Sequence, residues 1–101
     1  MQDKFARSIT PGDWIAYGHI LDRSGGVRIG RVLQVREGGC VVRGVDDDWG
    51  RNPKACERNG VLMYGRRIVL LREEDVPNDY KAAIAEIYPK EFERVNGFKF
   101  A

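Results

Sequence analysis

Residues 27–45 read VRIGRVLQVREGGCVVRGV, and this stretch decides the fold class. Up to Arg36, apolar residues largely alternate with arginine and glutamine, which is the period-2 pattern of a half-buried β-strand. Glu37-Gly38-Gly39 has the composition of a tight turn, and residues 40–45 are strand-like again. The stretch therefore predicts an antiparallel hairpin. Gly30 inside the first strand indicates a bulge or sharp bend of the kind that lets a small sheet curl into a barrel.

Strand-like segments continue on both sides of this hairpin. Upstream, the turn at residues 9–13 leads into a strand from Trp14 to about Ile20. Downstream, strand character returns at residues 61–64, breaks at a glycine and resumes at residues 68–71. The sequence thus predicts a mainly β protein, a small antiparallel barrel of four or five strands.

A helix is predicted after the last strand. Pro77-Asn78-Asp79 has the composition of a helix start. One amphipathic face follows at helical spacing, formed by Tyr80, Ala83, Ile84, Ile87 and Tyr88. Pro89 should stop or restart the helix, and we expect the apolar face to pack on the barrel. The prediction for the chain is one domain, with the barrel in residues 1–76 and the helix and tail in residues 77–101.

Composition is that of an ordinary globular domain. The 101 residues are 43% hydrophobic and 32% charged, which excludes a disordered chain. No run approaches the ~18 apolar residues that a membrane helix needs, and the polar start MQDKFARS does not resemble a secretory signal. We therefore expect a cytoplasmic protein without a membrane partner.

Positive charge is concentrated in the first part of the chain. Residues 1–72 contain 13 Lys and Arg against 8 Asp and Glu, whereas residues 73–101 contain 4 against 7. Arginine is favoured where planar contact with phosphate is needed, although a biased genome also enriches it. Nucleic acid is therefore the first candidate partner. The candidate contact residues on a basic strand face are Arg28, Arg31, Arg36, Arg43, Arg66, Arg67, Tyr17 and Tyr64.

Several short motifs resemble those of KOW-type SH3-like barrels. They are Gly12-Asp13-x-Ile15, Gly26, Gly30-Arg31-Val32-Leu33-x-Val35 and Val41-Val42-Arg43-Gly44-Val45-Asp46. The opening PGDWIAY at residues 11–17 also resembles the first strand of Tudor and PWWP barrels. The resemblance spans residues 11–46 and implies an SH3-like barrel that serves as a binding module for nucleic acid or protein.

Residues 46–60, DDDWGRNPKACERNG, are predicted to form a long loop. Tryptophan and arginine are enriched at protein-interface hot spots, so this loop supports an alternative hypothesis. In that alternative the protein is a protein-interaction or inhibitor module of the kind that a phage or mobile element encodes. The candidate partner-binding residues are Asp46, Asp47, Asp48, Trp49, Arg51 and Lys54.

Known catalytic signatures are absent from the sequence. His19 is the only histidine, and no Ser or Cys nucleophile stands near it in a recognised motif. Cys40 and Cys56 match no zinc-ligand spacing. A metal-dependent enzyme using the aspartate run is a third hypothesis, but the spaced ligands of a Ca²⁺ loop are missing. We expect a non-catalytic module with no cofactor and no bound metal.

Overall fold

The computed structural model describes the backbone of residues 1–21, 24–46 and 52–100. Side chains are described for the same residues except 19–21, 24–25 and 57–61. Within these ranges the protein is mainly β, with helices near the C-terminal end of the chain, as the sequence predicts.

The strands form a single antiparallel sheet in the described part of the chain. They are β1 (Trp14–Leu21), β2 (Ser24–Arg36), β3 (Gly39–Asp46), β4 (Lys54–Tyr64) and β5 (Ile68–Leu71). Their order across the sheet is β4-β3-β2-β1-β5, so β5 returns to pair with β1 after the first four strands have paired in sequence. No pairing joins β4 to β5 among the described residues. The sheet is therefore open, and a closed SH3-like barrel stays a prediction.

The central hairpin of β2 and β3 is confirmed, but its bulge lies further along than predicted. The register shifts between Val32 and Gln34, whereas Gly30 pairs regularly with both neighbouring strands. A Cβ on Gly30 would lie 2.5 Å from Cγ1 of Val42. Glycine at this position therefore allows a close approach of the strands and does not mark the bulge.

The predicted loop over residues 46–60 is too long. Strand β4 begins at Lys54, and Ala55 and Cys56 pair with β3. Residues 54–60 thus belong to a strand although they include Asn59 and Gly60, which have low strand propensity. At Lys54, Ala55 and Cys56, pairing with β3 overrides the loop-like composition of the segment, because strand preference depends mainly on the neighbours that a segment meets in the fold.

Two helices form the region in which the sequence predicts a helix that Pro89 stops or restarts. They are α1 (Asn78–Ile84) and α2 (Ile87–Asn96), so the chain restarts a helix just before Pro89. Proline is tolerated there because the first turn of a helix leaves its backbone N–H groups without intrahelical partners. Gly97, with φ of 77°, ends α2, and its N–H donates to the carbonyl oxygen of Glu93 at 2.8 Å.

Different parts of the chain cover the two faces of the sheet. The helices cover one face, and we call it the helix-covered face. Its buried cluster consists of Trp14, Leu33, Val41, Val45, Val76, Ile84, Tyr88 and Phe92. The other face packs against the N-terminal segment, and its buried cluster consists of Ile9, Ile15, Tyr17, Val32, Cys40, Val42 and Ile68. The predicted packing of Ile84 and Tyr88 on the sheet is confirmed.

A buried carboxylate, Asp3, fastens the N-terminal segment to β5. Its carboxylate accepts hydrogen bonds from the backbone N–H groups of Phe5, Arg7 and Leu70 and from the Arg7 guanidinium, at 2.8–2.9 Å. Burial alone would raise the pKa of Asp3, but these hydrogen bonds outweigh it and lower the pKa from 3.8 to about 2. The charged form of Asp3 therefore stabilises the fold.

We expect Asp3→Asn to lower the free energy of unfolding at pH 7 by about 2 kcal/mol, the equivalent of the pKa depression. Because the folded-state pKa is depressed, the contribution is fully present above pH 3.8 and is lost as the pH falls through about 2. Urea titrations of both proteins should therefore differ at pH 7 and converge near pH 2. Glu37→Gln, the same chemical change in the exposed β2–β3 turn, serves as the control. An equal difference at both pH values would contradict the prediction.

Candidate nucleic-acid interface

Two of the predicted contact arginines, Arg28 and Arg43, are buried and face carboxylates of the same chain. Arg28 is 9% exposed, and its guanidinium lies 3.6 Å from the Asp46 carboxylate. Arg43 is 7% exposed, and its Nη1 lies 2.7 Å from Oε1 of Glu91 in α2. Both guanidiniums face a carboxylate of this chain and are largely closed off from solvent. The structure therefore does not bring Arg28 and Arg43 onto an exposed basic face.

Arg31 is enclosed by aromatic rings. Its guanidinium lies 4.5 Å from the ring centroid of Tyr88, 5.1 Å from that of Phe100 and 5.7 Å from that of Trp14. Its Nε donates to the carbonyl oxygen of Gly12 at 2.9 Å. Cation–π contacts of this kind stabilise a partly desolvated charge. Arg31 thus joins α2 and the C-terminal tail to the sheet.

Tyr17 does not have the base-stacking position that the sequence predicts, because it is only 1% exposed and belongs to the cluster on the N-terminal side of the sheet. Its hydroxyl oxygen would collide with a Cβ on Gly44, so Gly44 makes room for the ring. A buried ring has no free face for a base. The structure separates Tyr17 from Tyr64, which is 54% exposed.

The remaining predicted residues come together at one end of the sheet. Arg36 pairs with Gly39 across β2 and β3, and Gly39 pairs with Tyr64 across β3 and β4. Cross-strand partners share a face, so Arg36 and Tyr64 lie on the same face with their Cα atoms about 10 Å apart, two strand spacings. Arg66 and Arg67 follow Tyr64 in an exposed 3₁₀ turn.

Leu62 completes this surface, and the sequence analysis missed it. It lies two residues before Tyr64 in β4, hence on the same face, and is 44% exposed. Its Cδ1 would lie 3.3 Å from a Cβ on Gly39, so Leu62 leans over the space that the glycine leaves. The alternation in the sequence VLMY could have identified Leu62 and Tyr64 as same-face neighbours. We call Arg36, Leu62, Tyr64, Arg66 and Arg67 the arginine–tyrosine patch.

The arginine–tyrosine patch is exposed because α2 ends before reaching it. The side-chain amide of Asn96, the last residue of α2, donates to the carbonyl oxygen of Leu33 at 2.9 Å. Gln34 then joins the two regions, since its Nε2 donates to the carbonyl oxygen of Val95 at 3.4 Å and its Oε1 accepts from Nε of Arg36 at 2.8 Å. Gln34 thereby orients the Arg36 guanidinium at the edge of the helix-covered face.

A separate cavity lies at the other end of β3 and β4. It has a volume of about 290 Å³ and is lined by Asp46, Asn52, Lys54, Ala55 and Cys56. Asp46 and Lys54, two of the predicted partner-binding residues, pair across the strands there. The other predicted residues of that group, Asp47, Asp48, Trp49 and Arg51, lie outside the described residues.

The two cysteines differ in their surroundings. Cys40 is fully buried, and burial raises its pKa to about 11, so its thiol stays protonated at neutral pH. Cys56 is half-buried beside the cavity, and its sulfur would lie 3.0 Å from a Cβ on Gly44. In the described ranges there is no group of three or more His, Cys, Asp and Glu side chains that would hold a metal ion.

The arginine–tyrosine patch thus combines three exposed guanidiniums with an exposed aromatic ring and an exposed aliphatic side chain. Guanidiniums bind phosphate or carboxylate oxygens, and an aromatic face accepts a stacked ring. Among the helices of the described residues, none is long and apolar enough to cross a membrane. A comparison of the chain with protein-family models, with curated proteins and with solved structures found no match.

Proposed function

We propose that this protein is a nucleic-acid-binding module and that the arginine–tyrosine patch is its contact surface. The observation that carries the proposal is the position of three exposed arginines relative to the exposed ring of Tyr64: Arg36 lies two strands away on the same face, and Arg66 and Arg67 follow Tyr64 closely in the chain. Several convergent cations supply most of the affinity for a phosphate backbone. The proposed module is non-catalytic and acts without a cofactor.

The charges around the patch favour an anionic partner. Arg36 is held by the neutral amide of Gln34, and so its positive charge is not neutralised by this contact. By contrast, Arg72 is 73% exposed but lies 2.9 Å from Asp75 and 3.5 Å from Glu74. The positive charge of Arg72 is therefore balanced by neighbouring carboxylates, whereas that of Arg36 is available to an anionic partner.

The fold adds support to the proposal. We propose that the sheet is the SH3-like arrangement, in which the fifth strand returns to the first after a 3₁₀ turn. The strand order β4-β3-β2-β1-β5 and the turn at Gly65–Arg67 agree with it. The resemblance of residues 11–46 to KOW-type barrels points to the same class of binding modules.

The test is a fluorescence anisotropy titration of labelled single-stranded DNA, duplex DNA and RNA at several salt concentrations. We expect binding that weakens steeply with salt, because phosphate contacts release counterions. The double variant Arg66→Ala/Arg67→Ala should bind about tenfold more weakly, as expected when charge-assisted hydrogen bonds are removed. It should also reduce the slope of log K against log salt by about 0.7–0.9 for each phosphate that is no longer neutralised.

Arg72→Ala is the matched control, because it also removes an exposed arginine but one that is paired with Asp75. Its affinity should stay within about twofold of the unmodified protein. Absence of binding to all three nucleic acids at low salt would refute the proposal. It would leave the protein-interaction alternative, which a pull-down comparing the intact protein with Trp49→Ala would then address.

A further inference from the structure

Tyr64 has the position expected of a stacking residue. It is the last residue of β4, its side chain is 54% exposed, and Leu62 lies beside it on the same face. Arg36 lies two strands away on the same face, and Arg66 and Arg67 follow Tyr64 in the 3₁₀ turn. The ring thus has one arginine across the sheet from it and two more just after it in the chain.

This arrangement suits a base with a phosphate on each side of it. A nucleotide strand carries a phosphate between successive bases, so a base on the Tyr64 ring would bring one phosphate towards Arg36 and another towards the 3₁₀ turn. Stacking on an aromatic side chain is a general means of binding single strands, and it tolerates sequence because every base has a π face. Leu62 would extend the apolar floor beneath the base.

Double-stranded nucleic acid cannot use this floor in the same way. In a duplex, both faces of each internal base are covered by neighbouring base pairs, and unstacking a base costs a few kcal/mol. The residues of the patch lie at one end of a sheet and in a 3₁₀ turn. The major groove of a duplex is instead read by an α-helix or a two-stranded β-ribbon. A base of a single strand can therefore stack on Tyr64 and Leu62, whereas a base inside a duplex cannot.

We propose that the arginine–tyrosine patch takes single-stranded nucleic acid, with a base stacked on Tyr64 and the flanking phosphates held by Arg36 and the Arg66–Arg67 pair. This inference rests on the proposed function, because it names the class of nucleic acid that the same patch binds.

The experiment compares Tyr64→Ala and Tyr64→Phe on single-stranded oligonucleotides of about 12 nucleotides, a length within the range that one OB fold covers. Oligo-dT and oligo-U are separate arms that distinguish DNA from RNA, and a duplex of the same length is the third. Tyr64→Ala should weaken single-strand binding about tenfold or more, and Tyr64→Phe, which keeps the ring, should bind within about twofold of the unmodified protein. Neither variant should change duplex binding by more than about twofold.

Two further readouts separate stacking from phosphate contact. Tyr64→Ala should leave the salt slope unchanged, whereas Arg36→Ala should reduce it by about 0.7 on a single strand. A 2-aminopurine base in the oligonucleotide should be quenched by the unmodified protein and by Tyr64→Phe but not by Tyr64→Ala. Circular dichroism and the melting temperature show whether each variant is folded, and only folded variants are compared.

Phe98→Ala is the control for removing an exposed aromatic ring. Phe98 is 62% exposed and packs edge-on against Phe92, in a tail that continues to Phe100 beside Arg31. The Phe98→Ala variant should bind single strands with an affinity within about twofold of that of the unmodified protein.

The outcomes separate the two proposals. If Tyr64→Ala binds single strands as the unmodified protein does while the arginine variants bind more weakly, the stacking inference is wrong and the proposed function stands. Tighter binding to duplex than to either single strand also overturns the inference alone. If no nucleic acid binds at low salt, the proposed function fails and the inference fails with it.

Discussion

Tyr88→Ala should lower the free energy of unfolding by about 3–5 kcal/mol, the cost typical of deleting a large buried aromatic side chain. Tyr88 is only 1% exposed, and its ring touches Phe92, Phe100 and the Arg31 guanidinium. The substitution therefore opens a cavity and also removes a cation–π partner from Arg31. Single-domain proteins are stable by about 5–15 kcal/mol, so the loss is a large part of the total.

Urea unfolding followed by circular dichroism measures this effect. Tyr88→Phe is the matched control, because it keeps the ring and removes the hydroxyl, which donates a hydrogen bond to the carbonyl oxygen of Val32. We expect it to cost about 1 kcal/mol. Burial raises the pKa of Tyr88 to about 12, so the hydroxyl remains a donor throughout the neutral range. A loss below about 1 kcal/mol for Tyr88→Ala would contradict the observed packing of α2 on the sheet.

Arg43→Ala should lower the free energy of unfolding by about 3 kcal/mol, the cost typical of breaking a buried ion pair from one side. Arg43 and Glu91 are both largely buried, and their charged atoms lie 2.7 Å apart. Removing one partner leaves the other charge in a place from which water is mostly excluded, and this is the costly way to alter such a pair. The substitution also removes the ion pair that joins α2 to β3.

The double variant Arg43→Met/Glu91→Leu is the control, since replacing both charges by apolar groups is often neutral or stabilising. Its stability should exceed that of Arg43→Ala, and a double-mutant cycle in urea, completed with the single variants Arg43→Met and Glu91→Leu, gives the coupling between the two residues. The folded fraction of Arg43→Ala should bind nucleic acid with the affinity of the unmodified protein, unlike Arg36→Ala. A loss of affinity without a loss of stability would instead assign Arg43 to the interface.

These contrasts indicate why the candidate site could be predicted only in part. Arg36 and Arg43 are both strand arginines that follow a valine, and the sequence pattern treats them alike. Alternation predicts that such residues share a face, but it does not say what covers that face. Here α2 covers Arg43, with Glu91 as its partner, and ends before it reaches Arg36.

The start of β4 likewise could not be predicted from the local sequence. Asn59 and Gly60 disfavour a strand locally, and residues 46–60 therefore resemble a loop in the sequence. Val45 and Gly44 of β3 nevertheless pair with Ala55 and Cys56, and so the strand begins at Lys54. Pairing with β3 thus made a strand of residues that local propensity predicts to be a loop.

The sequence by itself determined the antiparallel β class, the central hairpin around Glu37-Gly38-Gly39 and the helical region after Pro77. These features depend on periodicity and turn chemistry over a few neighbouring residues, and both can be read locally. Only the tertiary structure decided which cations are exposed. Burial depends on the element that packs over a side chain, and in this protein the end of α2 at Gly97 leaves the arginine–tyrosine patch open to solvent while Arg31 and Arg43 lie beneath the helix and the tail.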